Sequence, residues 1–389
     1  MENVRVKSVY EYLKQSKIAL KKLAVRASEG PVAGFTPPST LVGEYNYPKV
    51  RVGLMFTTEA NASLYDAPKY WASNGYRVGD ILQLRGSLLN SVNVMNVKED
   101  NNKKLRDIQF AVMSSSEVDV ELKLKGLALS PYTSRLEMPY NISGVMDSFK
   151  LSDNVKIDRP IERVYYDRDL KAIEGMKTLY ASGIDENKIS KILSTGAIGV
   201  KRKLVPTRWA ITAVDDSLGK DLLKEVKDFD TSDFYATKVG GILGNMFTFL
   251  FLKGEWSFEL IEAWNRDGKR AMIGEGDYEL YGGRKTYVKN TAGAYYAVRL
   301  AVLEKLKELK KQFKVIAIRE ITPDYFVPLG VWVVRESARA ALSGQINQFT
   351  DFQSALASAN GSTLYLKDIE NSSKVISMTK KQALLSSFI

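Results

Sequence analysis

Four carboxylates are the residues best suited to chemistry. Asp215 and Asp216 are adjacent in GAIGVKRKLVPTRWAITAVDDS (196–217), and Glu259 and Glu262 lie in GEWSFELIEAW (254–264). Read as a helix, the second segment brings Glu255, Glu259 and Glu262 near one face. Stacked carboxylates repel unless a cation faces them, so the pattern suits a metal centre or a general base, and equally a solvated helix face. VPTRWAITAV (205–214) reads as a strand whose C-terminal end carries the Asp pair, a place for Mg²⁺ ligands or for a turn cap. The chain has no cysteine and no histidine. That excludes thiol nucleophiles, disulfides, thiolate or imidazole metal sites and histidine acid–base catalysis. No ligand set is assigned to a metal. If one is held, oxygen donors imply Mg²⁺ or Mn²⁺, and Mg²⁺ is the one cofactor suggested.

The cations point to a polyanion. Lys201, Arg202 and Lys203 follow Gly196 and Gly199, whose backbone N–H groups could cradle a phosphate with the cations behind them. No Gly-Lys-Ser/Thr closes the loop, so it is not a Walker A loop. Arg208 follows five residues later. GEGDYELYGGRKTYVKN (274–290) interleaves Tyr278, Tyr281 and Tyr287 with Arg284, Lys285 and Lys289. Aromatics and cations on a glycine loop suit single-stranded nucleic acid or a flipped base, and also an ordinary hairpin edge. TPPSTLVGEYNYPKVRVG (36–53) is rich in restricted residues and reads as a loop of defined shape, with Glu44 and Lys49 able to line a site. In REITPDYFVPLGVWVVRE (319–336), Arg319–Glu320 and Arg335–Glu336 read as internal ion pairs. The net charge of +11 favours nucleic acid, although lysine-rich, cysteine-free surfaces are also common in thermophiles.

These residues need a scaffold, and the pattern of the 389 residues supplies a mixed one. RVKSVYEYLKQSKIALKKL (5–23) reads as a helix, VRVGLMF (50–56) as a buried strand, and SEVDVELKLK as a strand with Val118, Val120, Leu122 and Leu124 on one face. A polar stretch with a proline, LSDNVKIDRP (151–160), marks a soft boundary. Helices are expected over 167–183, over 185–196 with Asp185 as N-cap, and over 291–313; KVIAI (314–318) and VWVV (331–334) read as strands, with a helix from about Ser337. The class is α/β or α+β, with mixed sheets, surrounding helices and a flexible C-terminal tail. The expected division is an N-terminal region (1–155), a second α/β region (156–345), a helical or linker segment (346–371) and a tail (372–389). Residues 360–381 are polar and weakly patterned, as in a linker or tail. The N-terminus is charged and does not resemble a signal peptide. The longest apolar run, GILGNMFTFLFL (241–252), is far short of the roughly 20 residues a bilayer requires. A soluble, cytoplasmic protein with no membrane contact is expected.

GFTPPSTLVGEYNYPKVRVG, LSTGAIGVKRKLVPTRWAITAVDD, GEWSFELIEAW, YYAVRLAVLEKL and REITPDYFVPLGVWVVRE together resemble the archaeal DNA repair protein NreA family, from about residue 30 to about 345. The resemblance implies a role in DNA damage repair and a partnership with the sliding clamp PCNA through a C-terminal clamp-binding motif. Some relatives carry an N-terminal cysteine cluster resembling a zinc site, so without cysteine no zinc is implied here. Relatives often carry a histidine in the stretch matching GNMFTFLFLKGEW, where this chain has Asn245, Met246 and Phe247.

The chain closes on KKQALLSSFI. The clamp-binding pattern maps onto Gln382, Leu385, Phe388 and Ile389. Spacing of three suits a 3₁₀ turn that aligns Leu385 with Phe388, with Gln382 at the pocket's edge. Lys374, Lys380 and Lys381 add steering toward an acidic surface. The alternative is a last amphipathic turn folded back on the body. Three functions remain open: a clamp-recruited repair factor that binds DNA through basic loops, a Mg²⁺-dependent enzyme acting on damaged DNA or nucleotides, or a clamp-bound adaptor without catalysis. In the enzyme reading, Asp215, Asp216, Glu259 and Glu262 surround the metal while Arg208 or Arg284 contacts phosphate. Lys201, Arg202, Lys203, Arg208, Arg284 and Lys285 are the candidate DNA contacts.

Overall fold

Side-chain alternation and helical stripes assemble two sheets, each with its own core. The computed structural model describes residues 2–99, 102–128, 142–151, 155–266, 269–272, 276–364 and 367–386. Two compact units emerge: residues 1–218 with 327–330, and residues 219–326 with 331–389.

The first unit contains α1 (Glu2–Glu29), β1 (Val32–Thr36), β2 (Thr40–Val42), β3 (Lys49–Phe56), a 3₁₀ turn (Ala62–Asp66), α2 (Pro68–Ser73), α3 (Val78–Gly86), β4 (Leu89–Asn96), α4 (Lys103–Met113), β5 (Val118–Ala128), β6 (Ile142–Leu151), α5 (Arg159–Tyr166), α6 (Ala172–Ala181), α7 (Glu186–Ser194) and the start of α8 (Thr207–Val226). Among the described residues its sheet has six strands in the order β1-β5-β6-β4-β3-β2. All neighbours are antiparallel except β4 and β6. The alternating face of β5 is buried as its pattern predicts: Val120, Leu122 and Leu124 meet Leu20, Leu23, Ala24 and Ala27 of α1.

The second unit continues with β7 (Tyr235–Ile242), β8 (Asn245–Leu252), β9 (Ser257–Arg266), β10 (Lys269–Met272), β11 (Asp277–Glu279), α9 (Ala292–Leu309), β12 (Lys314–Ile321), α10 (Val331–Leu342), β13 (Asn347–Phe349), α11 (Phe352–Ser362), α12 (Ile369–Ser372) and α13 (Lys374–Ser386). Its sheet runs β10-β9-β12-β8-β7-β13, with β11 beside β9 and a parallel β9–β12 pair. Both faces are covered, which explains why β8 is apolar at almost every position. Phe247, Phe249 and Phe251 face α9 and α10, while Leu250 and Leu252 face α11, α12 and α13. The architecture is therefore α+β, built from two mixed sheets with surrounding helices.

Four stretches differ from the sequence reading. VPTRWAITAV opens helix α8 and is not a strand, because Ala210, Val214 and Leu218 recur every four residues and bury one helical face. GEWSFELIEAW forms strand β9 and not a helix: Phe258 and Leu260 enter one core, and Ile261 enters the other. VWVV begins helix α10, and because all four of these residues are buried the first turn shows no helical period. The polar stretch 360–381 carries α12 and most of α13, seated by Ile369, Val375 and Ile376. No helix among the described residues is long and apolar enough to cross a membrane.

Candidate nucleic-acid interface

In the first unit, two segments that are distant in sequence meet at the start of α8. Strands β2 and β3 pair from Thr40↔Leu54 to Val42↔Val52, and Gly43 N–H donates to Arg51 O at 2.8 Å. Residues 44–48 turn between the strands, with Asn46 at a φ of 64°, a left-handed conformation that asparagine tolerates. Thr207, the first residue of α8, accepts from Val42 N–H at 2.9 Å through its hydroxyl, which lies 3.1 Å from Ser194 Oγ at the end of α7. Ser194 in turn donates to Val205 O at 2.6 Å. This stitching fixes the next two side chains. Arg208 donates to Glu44, and the Trp209 ring lies on Tyr47 with centroids 5.6 Å apart and planes at 37°.

The resulting surface is aromatic and open. Tyr45 is 73% exposed, Tyr47 52% and Trp209 50%. Lys49 and Arg51 alternate outward along β3 beside them, and Lys201 and Lys203 are exposed in the loop before α8. Arg202 between them has a different role. Its guanidinium donates to four carbonyls, Ala197 (2.5 Å), Tyr165 (2.7 Å), Gly199 (3.1 Å) and Asp167 (3.2 Å), and sits 5.2 Å from the Tyr165 ring centre. It clasps the loop internally. The expected phosphate cradle at Gly196 is also occupied by the chain itself. Gly196 N–H bonds Leu193 O at 3.0 Å and Ala197 N–H bonds Ile192 O at 3.2 Å, closing the end of α7. Gly196 is required for the turn: its φ is +67°, and a Cβ there would lie 2.7 Å from Lys203 O.

In the second unit, Arg284 organises its own loop. It donates to Tyr278 O at 2.7 Å, approaches Asp277 at 3.9 Å and lies 5.8 Å from the Tyr295 ring centre. Lys285, Tyr281 and Tyr287 are exposed, and Lys227 Nζ is 4.4 Å from the Tyr281 ring centre. Burial pushes the Asp277 carboxyl up, but the Thr291 amide and hydroxyl and the Asn290 and Lys289 amides outweigh it and hold it below its ordinary value.

The carboxylates do not form the expected cluster. On strand β9, Glu259 and Glu262 project to opposite faces, because an offset of three residues changes face. Glu259 is buried and accepts from Ser373 Oγ (2.5 Å), Lys374 N–H (2.9 Å) and Val375 N–H (3.0 Å), capping the start of α13. Burial drives its pKa up, against these donors. Glu262 pairs with Arg319, which also donates to Asn245 Oδ1 at 2.9 and 2.5 Å. Asp215 is buried on α8, and its neighbour Asp216 is half-buried. Among the described residues, no group of three or more Asp or Glu side chains could hold a metal ion. Gln382 and Leu385 lie within α13, whereas Phe388 and Ile389 are outside the described residues.

One buried charge cluster of the first unit has no counterpart in the sequence reading. Asp66 meets Lys191 Nζ at 2.7 Å and Arg85 at 3.4 Å. Burial pushes Asp66 up, but these two cations hold it at about 2. Nearby Lys188 donates to Ser114 O, and burial, reinforced by Lys191, lowers it to about 7. The four residues are spread over the sequence from 66 to 191, so only the fold makes them neighbours.

Nearly the whole chain matches two family descriptions. Residues 7–269 match "Archaeal Nre, N-terminal" and residues 279–388 match "Archaeal Nre, C-terminal". DNA repair protein NreB of Archaeoglobus fulgidus is 35% identical over 336 residues, 84% of each chain. DNA repair protein NreA of Haloferax volcanii is 36% identical, covering 83% of this chain and 81% of the relative. NreA of Archaeoglobus fulgidus is 34% identical, covering 90% and 88%. No solved structure matches.

Proposed function

From the chain's membership of the archaeal Nre family we propose that it is a DNA-repair protein, recruited by the sliding clamp PCNA through its C-terminal motif and holding DNA with exposed basic loops. The chain belongs to that family along nearly its whole length. The observation that carries the reading is the coverage: relatives named as DNA repair proteins align over four-fifths or more of both chains. The role therefore attaches to the whole molecule and not to a shared fragment. Lys201, Lys203 and Lys285 are the cations left in solvent to meet phosphate, while Arg202, Arg208 and Arg284 shape the loops that present them. Gln382, Leu385, Phe388 and Ile389 are the clamp peptide in this reading, and α13, which carries Gln382 and Leu385, is tied to the body through Glu259.

The test is the salt dependence of binding to a labelled oligonucleotide. Wild type binds at low salt with a slope set by the phosphates it neutralises. Lys201→Gln/Lys203→Gln lowers the slope by about 1.4 to 1.8, at roughly 0.7–0.9 per lost contact. Absence of wild-type binding at low salt, or an unchanged slope in the double variant, contradicts the basic-loop assignment.

A further inference from the structure

We infer that Tyr47 and Trp209 form a stacking platform for unpaired nucleobases, so that the first unit prefers single-stranded over duplex DNA. This rests on the DNA-binding reading above and specifies the form of DNA taken.

Three observations carry the inference. The first is cost. Leaving two large rings in contact yet half in water forgoes apolar burial that a purely structural cluster would secure. Helix α8 has a buried face at Ala210 and Val214, and Trp209 is turned away from it. The second is rigidity. The segments that carry Tyr47 and Trp209 are tied together by two clasps, Thr207 to Val42 N–H at 2.9 Å and Arg208 to Glu44. Arg208 is a positioning residue, since Glu44 neutralises it and it sets the Trp209 backbone in place. The third is charge. Lys49 and Arg51 stand exposed on the strand leaving the same turn, so a backbone tracking the platform meets cations of the right sign. An apolar protein partner would have no use for those two exposed charges. Bases offer a π-face to any aromatic platform only when unpaired, so such a platform is tolerant of sequence and selective for single strands.

The experiment uses the full chain with two labelled probes, an oligothymidine and a hairpin duplex of the same charge, titrated at one low salt concentration. Wild type binds the single strand more tightly. Trp209→Ala weakens single-strand binding by roughly 5- to 100-fold, the cost of one lost stacking contact, and leaves duplex binding within about twofold. Trp209→Phe keeps a ring and restores most of the affinity, which separates stacking from misfolding. Tyr47→Ala, removing the support beneath Trp209, follows Trp209→Ala in direction. Equal loss on both probes, or single-strand affinity unchanged in Trp209→Ala, overturns the platform while leaving the basic-loop reading intact. Failure of wild type to bind either probe overturns both.

Discussion

Removing the Glu259 side chain should release the start of the C-terminal helix without unfolding the protein. Glu259 is fully buried on β9 and receives Ser373 Oγ at 2.5 Å and the amides of Lys374 and Val375 at 2.9 and 3.0 Å. A carboxylate at a helix N-terminus satisfies donors that have no partner within the helix. In Glu259→Ala those donors lose their acceptor. Loss of a cap costs about 0.5–2 kcal/mol, and each buried donor left unsatisfied about 1–3 kcal/mol. Two effects reduce the sum. The carboxylate itself is destabilised by burial, as its raised pKa records, and Lys374 at the helix edge gains access to water. A net local loss of about 2–4 kcal/mol remains. The residues that still hold the helix are Val375 and Ile376, both buried, together with the Lys314–Thr379 hydrogen bond at 3.1 Å. Amide hydrogen exchange should therefore accelerate by roughly 30- to 1000-fold at residues 374–376, at about 1.4 kcal/mol per tenfold. Exchange in β12 and α9 should be almost unchanged. Glu259→Gln, which keeps one acceptor oxygen, should fall between. Unchanged exchange at 374–376 in a folded Glu259→Ala protein would refute the idea that this carboxylate anchors the helix.

Other consequences are equally specific. Asp66 titrates at about 2 in the folded chain against an ordinary 3.8. Its depressed value means a stabilising contribution of about 2 kcal/mol, complete above the unfolded value and lost as pH falls through 2. A denaturant series from pH 6 to 2 should show that loss in wild type and not in Asp66→Asn, which is already weaker at neutral pH by about 3–5 kcal/mol because Arg85 and Lys191 lose their counter-ion. Lys188 behaves in the opposite sense: folded at about 7 and unfolded near 10.5, it makes the unfolded chain bind the extra proton between those values. Stability of wild type relative to Lys188→Met should rise with pH by up to about 1.4 kcal/mol per unit across that window. Arg202→Ala should lower the melting temperature and Arg202→Lys should not rescue it, since one ammonium cannot reach the four carbonyls that the planar fork holds.

Much of this architecture is written locally, and the exceptions have identifiable causes. The strict alternation in β5 and the Asp185 N-cap of α7 are visible because one face of each element meets one environment. Strand β8 and the first turn of helix α10 (331–334) are buried almost throughout, so neither stretch shows a period, and only neighbours decide which is helix and which is strand. Glu259 and Glu262 misdirect the reading of β9, since a glutamate in a central strand normally argues against one. Here each has a private partner, the α13 amides for one and Arg319 for the other, contributed by segments 57 or more residues away. The same holds at the candidate interface. Lysines 201 and 203 are legible as charge, but the Tyr47–Trp209 contact joins the turn after β2 to the first turn of α8, and Arg202 looks identical to its neighbours until its carbonyl partners are known.

In the proposed function one molecule engages the clamp by its tail and DNA by its body. With PCNA from the same organism immobilised on a biosensor, the full chain at micromolar concentration should be captured, and the captured chain should then bind an added single-stranded oligonucleotide. Leu385→Ala/Phe388→Ala should abolish capture while retaining oligonucleotide binding in free solution. Equal capture of wild type and the double variant, or no capture of either, would contradict recruitment through this motif.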